Sequence, residues 1–204
     1  MSIEGILFYW VAWIFWIIAT FFMKRSEAYR LNISLCGLIA IILNPYHIEI
    51  FEFRVNASLF IFYFFAIMQI VKLSKGPILY TFICSYIIMM AYASFLLFEL
   101  YDPVWVLFDR NWLLGVILCY LCVLLQQLKW NRAYILIVGM VQGDMIFSMV
   151  LQRIGIDYNI GSGAFQDVFA TSLAALFIWS IAEMILVNMD QYVNTHIRGK
   201  QKST

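Results

Sequence analysis

The stretch Leu35-Cys36-Gly37-Leu38-Ile39-Ala40-Ile41-Ile42-Leu43 decides the fold. Asn32 and Ser34 precede it and Asn44-Pro45 follows it. Its unbroken apolar run is less than half of the ~20 residues that a spanning helix needs. Whether it crosses a membrane sets the side on which every later loop falls. Lys and Arg of short loops collect on the cytoplasmic side, and acidic residues carry little weight in that rule. If the stretch crosses, Lys24, Arg25, Arg30, Lys72, Lys75, Lys129, Arg132, Arg198, Lys200 and Lys202 share one side, and only Arg54, Arg110 and Arg153 lie on the other. If it does not, the division becomes seven against six and the asymmetry vanishes. The expectation is an all-α polytopic integral membrane protein with seven transmembrane helices, N-terminus outside and C-terminus inside.

Composition agrees with a membrane solvent. The chain is 64% hydrophobic with mean hydropathy +0.87, and only 12% of its residues are charged, against about 25% in soluble domains. Seven helices with short loops consume nearly all of the 204 residues. A single transmembrane domain over 1–189 is therefore expected, followed by a short polar, basic tail over 190–204. A net charge of +1 argues against nucleic acid as a partner, since nucleic-acid binding normally shows as a strongly basic patch. Met1 to Gly5 contains no Lys or Arg, so the first apolar run reads as an uncleaved helix rather than a signal peptide.

The spans are expected at about Ile3–Met23, Tyr29–Ile48, Phe53–Val71, Pro77–Phe98, Trp112–Leu128, Ala133–Leu151 and Val168–Met189. Gly76-Pro77 marks a turn, and Gly155, Gly161 and Gly163 mark the loop before the last helix. Of the acidic residues, Glu4, Glu49, Glu52, Glu99, Asp102, Asp109, Asp157 and Asp167 fall outside, and Glu27 and Asp190 inside.

Asp144 and Glu183 remain within spans. A charge at mid-bilayer costs about 2.5–3.5 kcal/mol on insertion scales, so such residues face the bundle interior and mark a pathway or a polar contact. Asp144 lies about 18 Å along its helix from Arg132, near the midplane. Gln142 and Ser148 are its polar neighbours in sequence. No Lys or Arg falls in the interior of an expected span to pair with Asp144 or Glu183. The functional reading is a proton- or cation-linked site between the sixth and seventh helices; the structural reading is a hydrogen bond across helices.

Catalytic motifs lack their partners. Gly143-Asp144 and Tyr101-Asp102 look like fragments of an intramembrane aspartyl protease, but Val141 replaces a required glycine and Asp102 belongs to an outer loop. Gly161-Ser162-Gly163 has no histidine in a span to act as base, because His47 and His196 lie in loops on opposite sides. The same separation leaves no histidine-based metal site, and no cofactor is expected. Cys119-Tyr120-Leu121-Cys122 falls mid-helix, where apolar surroundings make thiols inert. The cysteines read as packing residues. Trp10, Trp13 and Trp16 recur every three residues and are expected to share a face for lipid, helix packing or a flat ligand. Asn56-Ala57-Ser58 fits a glycosylation sequon.

The run Glu4-Gly5-Ile6-Leu7-Phe8-Tyr9-Trp10, continuing through Trp13, Trp16, Thr20, Phe21 and Lys24, resembles the YphA-like membrane proteins of spore-forming Gram-positive bacteria. That resemblance covers the first helix and the seven-span layout. It implies a bacterial plasma membrane and a role in envelope or sporulation biology, and it assigns no functional residue. The expected function is a non-catalytic membrane protein that binds lipid or a protein partner within the membrane. The alternative is a small-solute or proton/cation-coupled transporter using Asp144, with an intramembrane enzyme third.

Overall fold

The computed structural model describes residues 4–23, 29–50, 53–73, 75–105 and 108–201. Lys24, Arg25, Glu27, Glu52 and Lys202, and the expected start of the first helix at Ile3, lie outside the described residues.

Helix α1 (Ile6–Ile17) continues as a π-helical turn over Ile18–Phe22. The wide turn frees carbonyls, and Arg30 in the first turn of α2 (Tyr29–Leu43) takes two of them. Its Nη2 donates to Thr20 O at 2.6 Å and its Nε to Ala19 O at 3.2 Å. Helix α2 stops before Asn44-Pro45 because the residue preceding a proline is driven out of the helical region.

The next ten residues correct the expectation of a purely helical chain. Strands β1 (His47–Ile50) and β2 (Phe53–Asn56) form an antiparallel hairpin, in place of a helix reaching Ile48 and another beginning at Phe53. Ile48, Ile50, Phe53 and Val55 are the residue types that favour strands. Glu49 faces Arg54 in the register and ion-pairs with it at 3.1 Å. The far edge of β2 is also occupied: Asn56 N donates to Ile160 O at 2.9 Å, and Ile160 N to Arg54 O at 2.8 Å. A strand edge facing lipid would leave unpaired backbone groups; here that edge meets the loop before the last helix.

Helix α3 (Ala57–Val71) is followed by α4 (Lys75–Tyr101), a 3-10 turn (Pro103–Trp105), α5 (Arg110–Leu125), α6 (Lys129–Arg153) and α7 (Gly163–Gln201). Three stretches, Gly76–Tyr101, Lys129–Arg153 and Gly163–Met189, are long and apolar enough to cross a membrane. Four shorter apolar helices accompany them, Ile6–Phe22, Arg30–Leu43, Ala57–Val71 and Arg110–Leu125. The 15 residues each of α2 and α3 rise only about 22 Å, short of a ~30 Å hydrocarbon core.

Helix α6 is the most enclosed of the long helices. Its Gly139 and Gly143, four residues apart, let α4 approach closely. A Cβ on Gly139 would lie 2.7 Å from Ile88 Cβ and from Ser85 O; one on Gly143 would lie 2.8 Å from Tyr92 Cδ1. The core gathers Leu114 and Leu118 of α5, Ile135, Leu136, Val138 and Met140 of α6, and Phe165 and Phe169 of α7. Cys84, Cys119 and Cys122 are buried free thiols within this packing, and Cys36 is half-buried and free.

Candidate functional site

Asp144 is completely buried in the middle of α6, and its carboxylate is surrounded by donors. Oδ1 accepts from the Tyr158 hydroxyl at 2.7 Å and the Tyr92 hydroxyl at 3.3 Å; Oδ2 accepts from Gly161 N at 2.7 Å. Tyr92 comes from α4, whereas Tyr158 and Gly161 come from the loop joining α6 to α7. Burial and the adjacent Asp144 carboxyl raise the Tyr158 hydroxyl above its ordinary ionisation range, which keeps it a donor.

Gly161 has φ +76°, in the left-handed region that glycine tolerates. A Cβ there would also sit 2.5 Å from Leu59 Cδ1. Both constraints fix the residue whose N–H reaches Asp144. Gly161 O in turn accepts from Gln166 Nε2 at 3.2 Å, and the same amide donates to Asn44 Oδ1. Asn56 Nδ2 donates to Asn44 O at 2.9 Å. The Asn56 side-chain oxygen accepts from Ser58 N at 2.9 Å and Ser58 Oγ at 2.7 Å. A buried polar layer thus ties α2, β2, α3, the last loop and α7 to the carboxylate. Asn56 is 2% exposed, so its sequon serves as a helix cap and is not accessible to glycosylation.

The sequence-derived candidates are spread rather than gathered. Gln142 lies about 200° around α6 from Asp144 and donates to the Tyr63 hydroxyl of α3 at 3.1 Å. Ser148, one turn beyond Asp144, is buried and lines a polar pocket of about 250 Å³ with Phe53, Arg54, Gln152, Asp157 and Tyr158. Glu183 sits at the other end of the bundle. It accepts from Arg132 Nη1 at 2.7 Å and Trp179 Nε1 at 2.7 Å, and Lys129 Nζ stands 3.8 Å away. This corrects the expectation that no cation would meet it. Helix α6 begins at Lys129 rather than Ala133, so Arg132 belongs to its first turn, buried and anchored to Gln126 O at 2.6 Å. The roughly 18 Å rise from Arg132 to Asp144 separates the two acids and rules out a shared site between them.

Trp10 and Trp13 face outward, and Trp16 meets Trp13 edge to face at 5.6 Å. A three-residue step falls about 60° short of a full turn, so the stripe winds and brings Trp16 alone into an apolar groove beside Phe8, Phe15, Cys36, Phe62 and Phe169. Asp167, expected in an outer loop, is buried in the first turns of α7 and caps α1. Its Oδ2 accepts from Gly5 N at 2.8 Å and its Oδ1 from Phe8 N at 3.1 Å. Tyr92, Tyr158, Asn44 and Gln166 form the polar layer without any local sequence signal. Among the described residues, no group of three or more His, Cys, Asp or Glu side chains is arranged to hold a metal ion.

Apolar helices enclosing the satisfied acids Asp144 and Asp167 define an integral membrane protein. A family model described as YphA-like integral membrane protein matches residues 4–202, and the chain belongs to that family. It is 26% identical over 181 residues to the uncharacterized protein YphA of Bacillus subtilis (strain 168), covering 88% of each chain. No solved structure matches.

Proposed function

We propose that the chain is a seven-span protein of the bacterial plasma membrane that binds membrane lipid without catalysis. In this reading the N-terminus is outside and the C-terminus inside. The described cations support the orientation. Arg30, Lys72, Lys129 and Arg132 belong to the ends of α2, α3 and α6 remote from the hairpin and the last loop, as the preference of basic residues for the cytoplasm requires. The four shorter helices then serve as spans whose missing length is supplied by the hairpin, the loops and local thinning of the bilayer.

One observation carries lipid binding. A lateral groove of about 170 Å³ runs between α1, α2, α3 and α7, walled by Phe8, Phe15, Trp16, Phe62 and Phe169 and almost free of polar surface. In the proposed seven-span arrangement an apolar groove of this kind suits an acyl chain. A phospholipid carrying a photoreactive diazirine near its chain end tests the reading. Cross-links concentrated on residues 8–16 and 62–65 are expected. Labelling spread evenly over outward faces such as Tyr86 and Phe82 of α4 would remove the support.

A specific observation favours a second reading, a proton- or cation-coupled transporter. Ser148 and Tyr158 line the outer polar pocket, and the Tyr158 hydroxyl contacts Asp144. That reading uses Asp144, Ser148 and Tyr158. Gln142 and Glu183 face elsewhere.

A further inference from the structure

We infer that the crevice between α2 and α3 is a binding site for an anionic phospholipid of the inner leaflet, its headgroup on Lys72; this rests on the lipid-binding reading and names its ligand class. The crevice, about 670 Å³, adjoins the lateral groove at Cys36 and Phe65. Leu35 and Ile39 of α2 and Phe60 and Phe64 of α3 form its walls. Its polar lining lies at one end, with Asn32, Gln69 and Lys72. The remaining polar group on the wall, the Tyr63 hydroxyl, already accepts from Gln142.

Length and charge identify the occupant. From Phe60 to Lys72 the helix rises about 18 Å, close to the ~15 Å of one leaflet of a ~30 Å core. A partner helix crossing the bilayer would need an apolar face through both leaflets. This crevice serves one and ends at a cation. The Lys72 ammonium donates to Gln69 Oε1 at 3.4 Å. An ammonium has three donors, and among the described residues no carboxylate pairs with this one. Asn32 and Gln69 add amide groups at the same depth. An acyl chain against Ile39 and Phe64 would place a phosphate within reach of Lys72. A cation near an anionic surface gains roughly fivefold in affinity.

The test is native mass spectrometry of the full chain released from nanodiscs of phosphatidylglycerol, of phosphatidylcholine, or of equal parts of both. The wild type should retain one phosphatidylglycerol in preference to phosphatidylcholine. Lys72→Gln, a change at an exposed residue, should reduce that preference about fivefold and leave total lipid retention unchanged. Ile39→Trp, which narrows the crevice at its apolar wall, should reduce retention of both lipids. Equal retention of the two lipids by the wild type, or an unchanged preference in K72Q, overturns the headgroup assignment and leaves lipid binding standing. Undiminished retention in I39W of normal thermal stability overturns the crevice as the site. Retention of neither lipid by the wild type overturns the broader reading as well.

Discussion

The Tyr158 hydroxyl donates to Asp144 Oδ1 at 2.7 Å, tying the loop before α7 to the middle of α6. With Gly161 N on Oδ2 and Tyr92 on Oδ1, the carboxylate holds three elements in register. Asp144→Asn replaces an acceptor with an NH2 group that faces a donor. A buried donor without a partner costs about 1–3 kcal/mol, and a loss of that size is expected in unfolding experiments in micelles. Tyr158→Phe should cost about 1 kcal/mol. The two should couple by at least ~0.5 kcal/mol in a double-mutant cycle. Strict additivity would show that the hydrogen bond does not join the loop to α6.

Glycines divide into two groups with opposite expectations. Gly139→Ala and Gly143→Ala each place a Cβ within 2.8 Å of α4 atoms, and overpacking of this kind costs about 1–3 kcal/mol. At Gly37 and Gly76 an added methyl group would meet nothing within 4 Å, so their alanine variants should retain wild-type stability. Thermal unfolding of the four variants side by side provides the comparison. Equal behaviour across the set would mean that α4 and α6 are not in close contact.

That close approach could be read from Gly139 and Gly143, two glycines one turn apart in an apolar helix, although Gly143, read beside Asp144, suggests only a protease-like fragment. The long apolar runs of α4, α6 and α7 are legible, since length and hydropathy alone define them. The hairpin is not. His47 to Asn56 mixes apolar and charged residues with no helical stripe, and its strand character becomes clear only when Glu49 meets Arg54 and Ile160 closes the edge. The polar layer is hidden for another reason. Asn44 and Gln166 are 122 residues apart, and no local pattern records a contact over that distance. The Arg132–Glu183 pair is obscured by the start of α6: an arginine assigned to a loop has no reason to meet an acid in a helix.

That pair gives a third expectation. Arg132 is buried, and Glu183 accepts its Nη1 at 2.7 Å. Glu183→Leu removes a charged hydrogen bond, for which about 1.5–3 kcal/mol is typical; the partial exposure of Glu183 favours the lower end. Removing both charges with Arg132→Met and Glu183→Leu should recover most of the loss, because the unpaired charge accounts for the larger part of such penalties. Denaturant unfolding of both single variants and the double variant measures the recovery. A double variant as unstable as the sum of the singles would mean that each residue acts through separate contacts.

The threading proposed for the chain is tested at two positions, one in a loop and one at a helix start, that the hairpin and the basic ends assign to opposite faces. Asp157 lies in the loop between α6 and α7, beside the outer polar pocket. Gly76 lies near the start of α4, where a side chain meets nothing within 4 Å. Asp157→Cys in intact cells should react with a membrane-impermeant maleimide. Gly76→Cys should react only after permeabilisation. The native thiols of α4 and α5 are buried and contribute little background, and Cys36→Ser removes the half-buried one. If α2 turned back without crossing, its C-terminal end and every later loop would change sides, while both ends of α1 and the start of α2 kept theirs. The two labels would then exchange behaviour, and the basic ends of α3 and α6 would face outward. Labelling of both positions from the same side would leave an even number of crossings between them, whereas α4, α5 and α6 supply three.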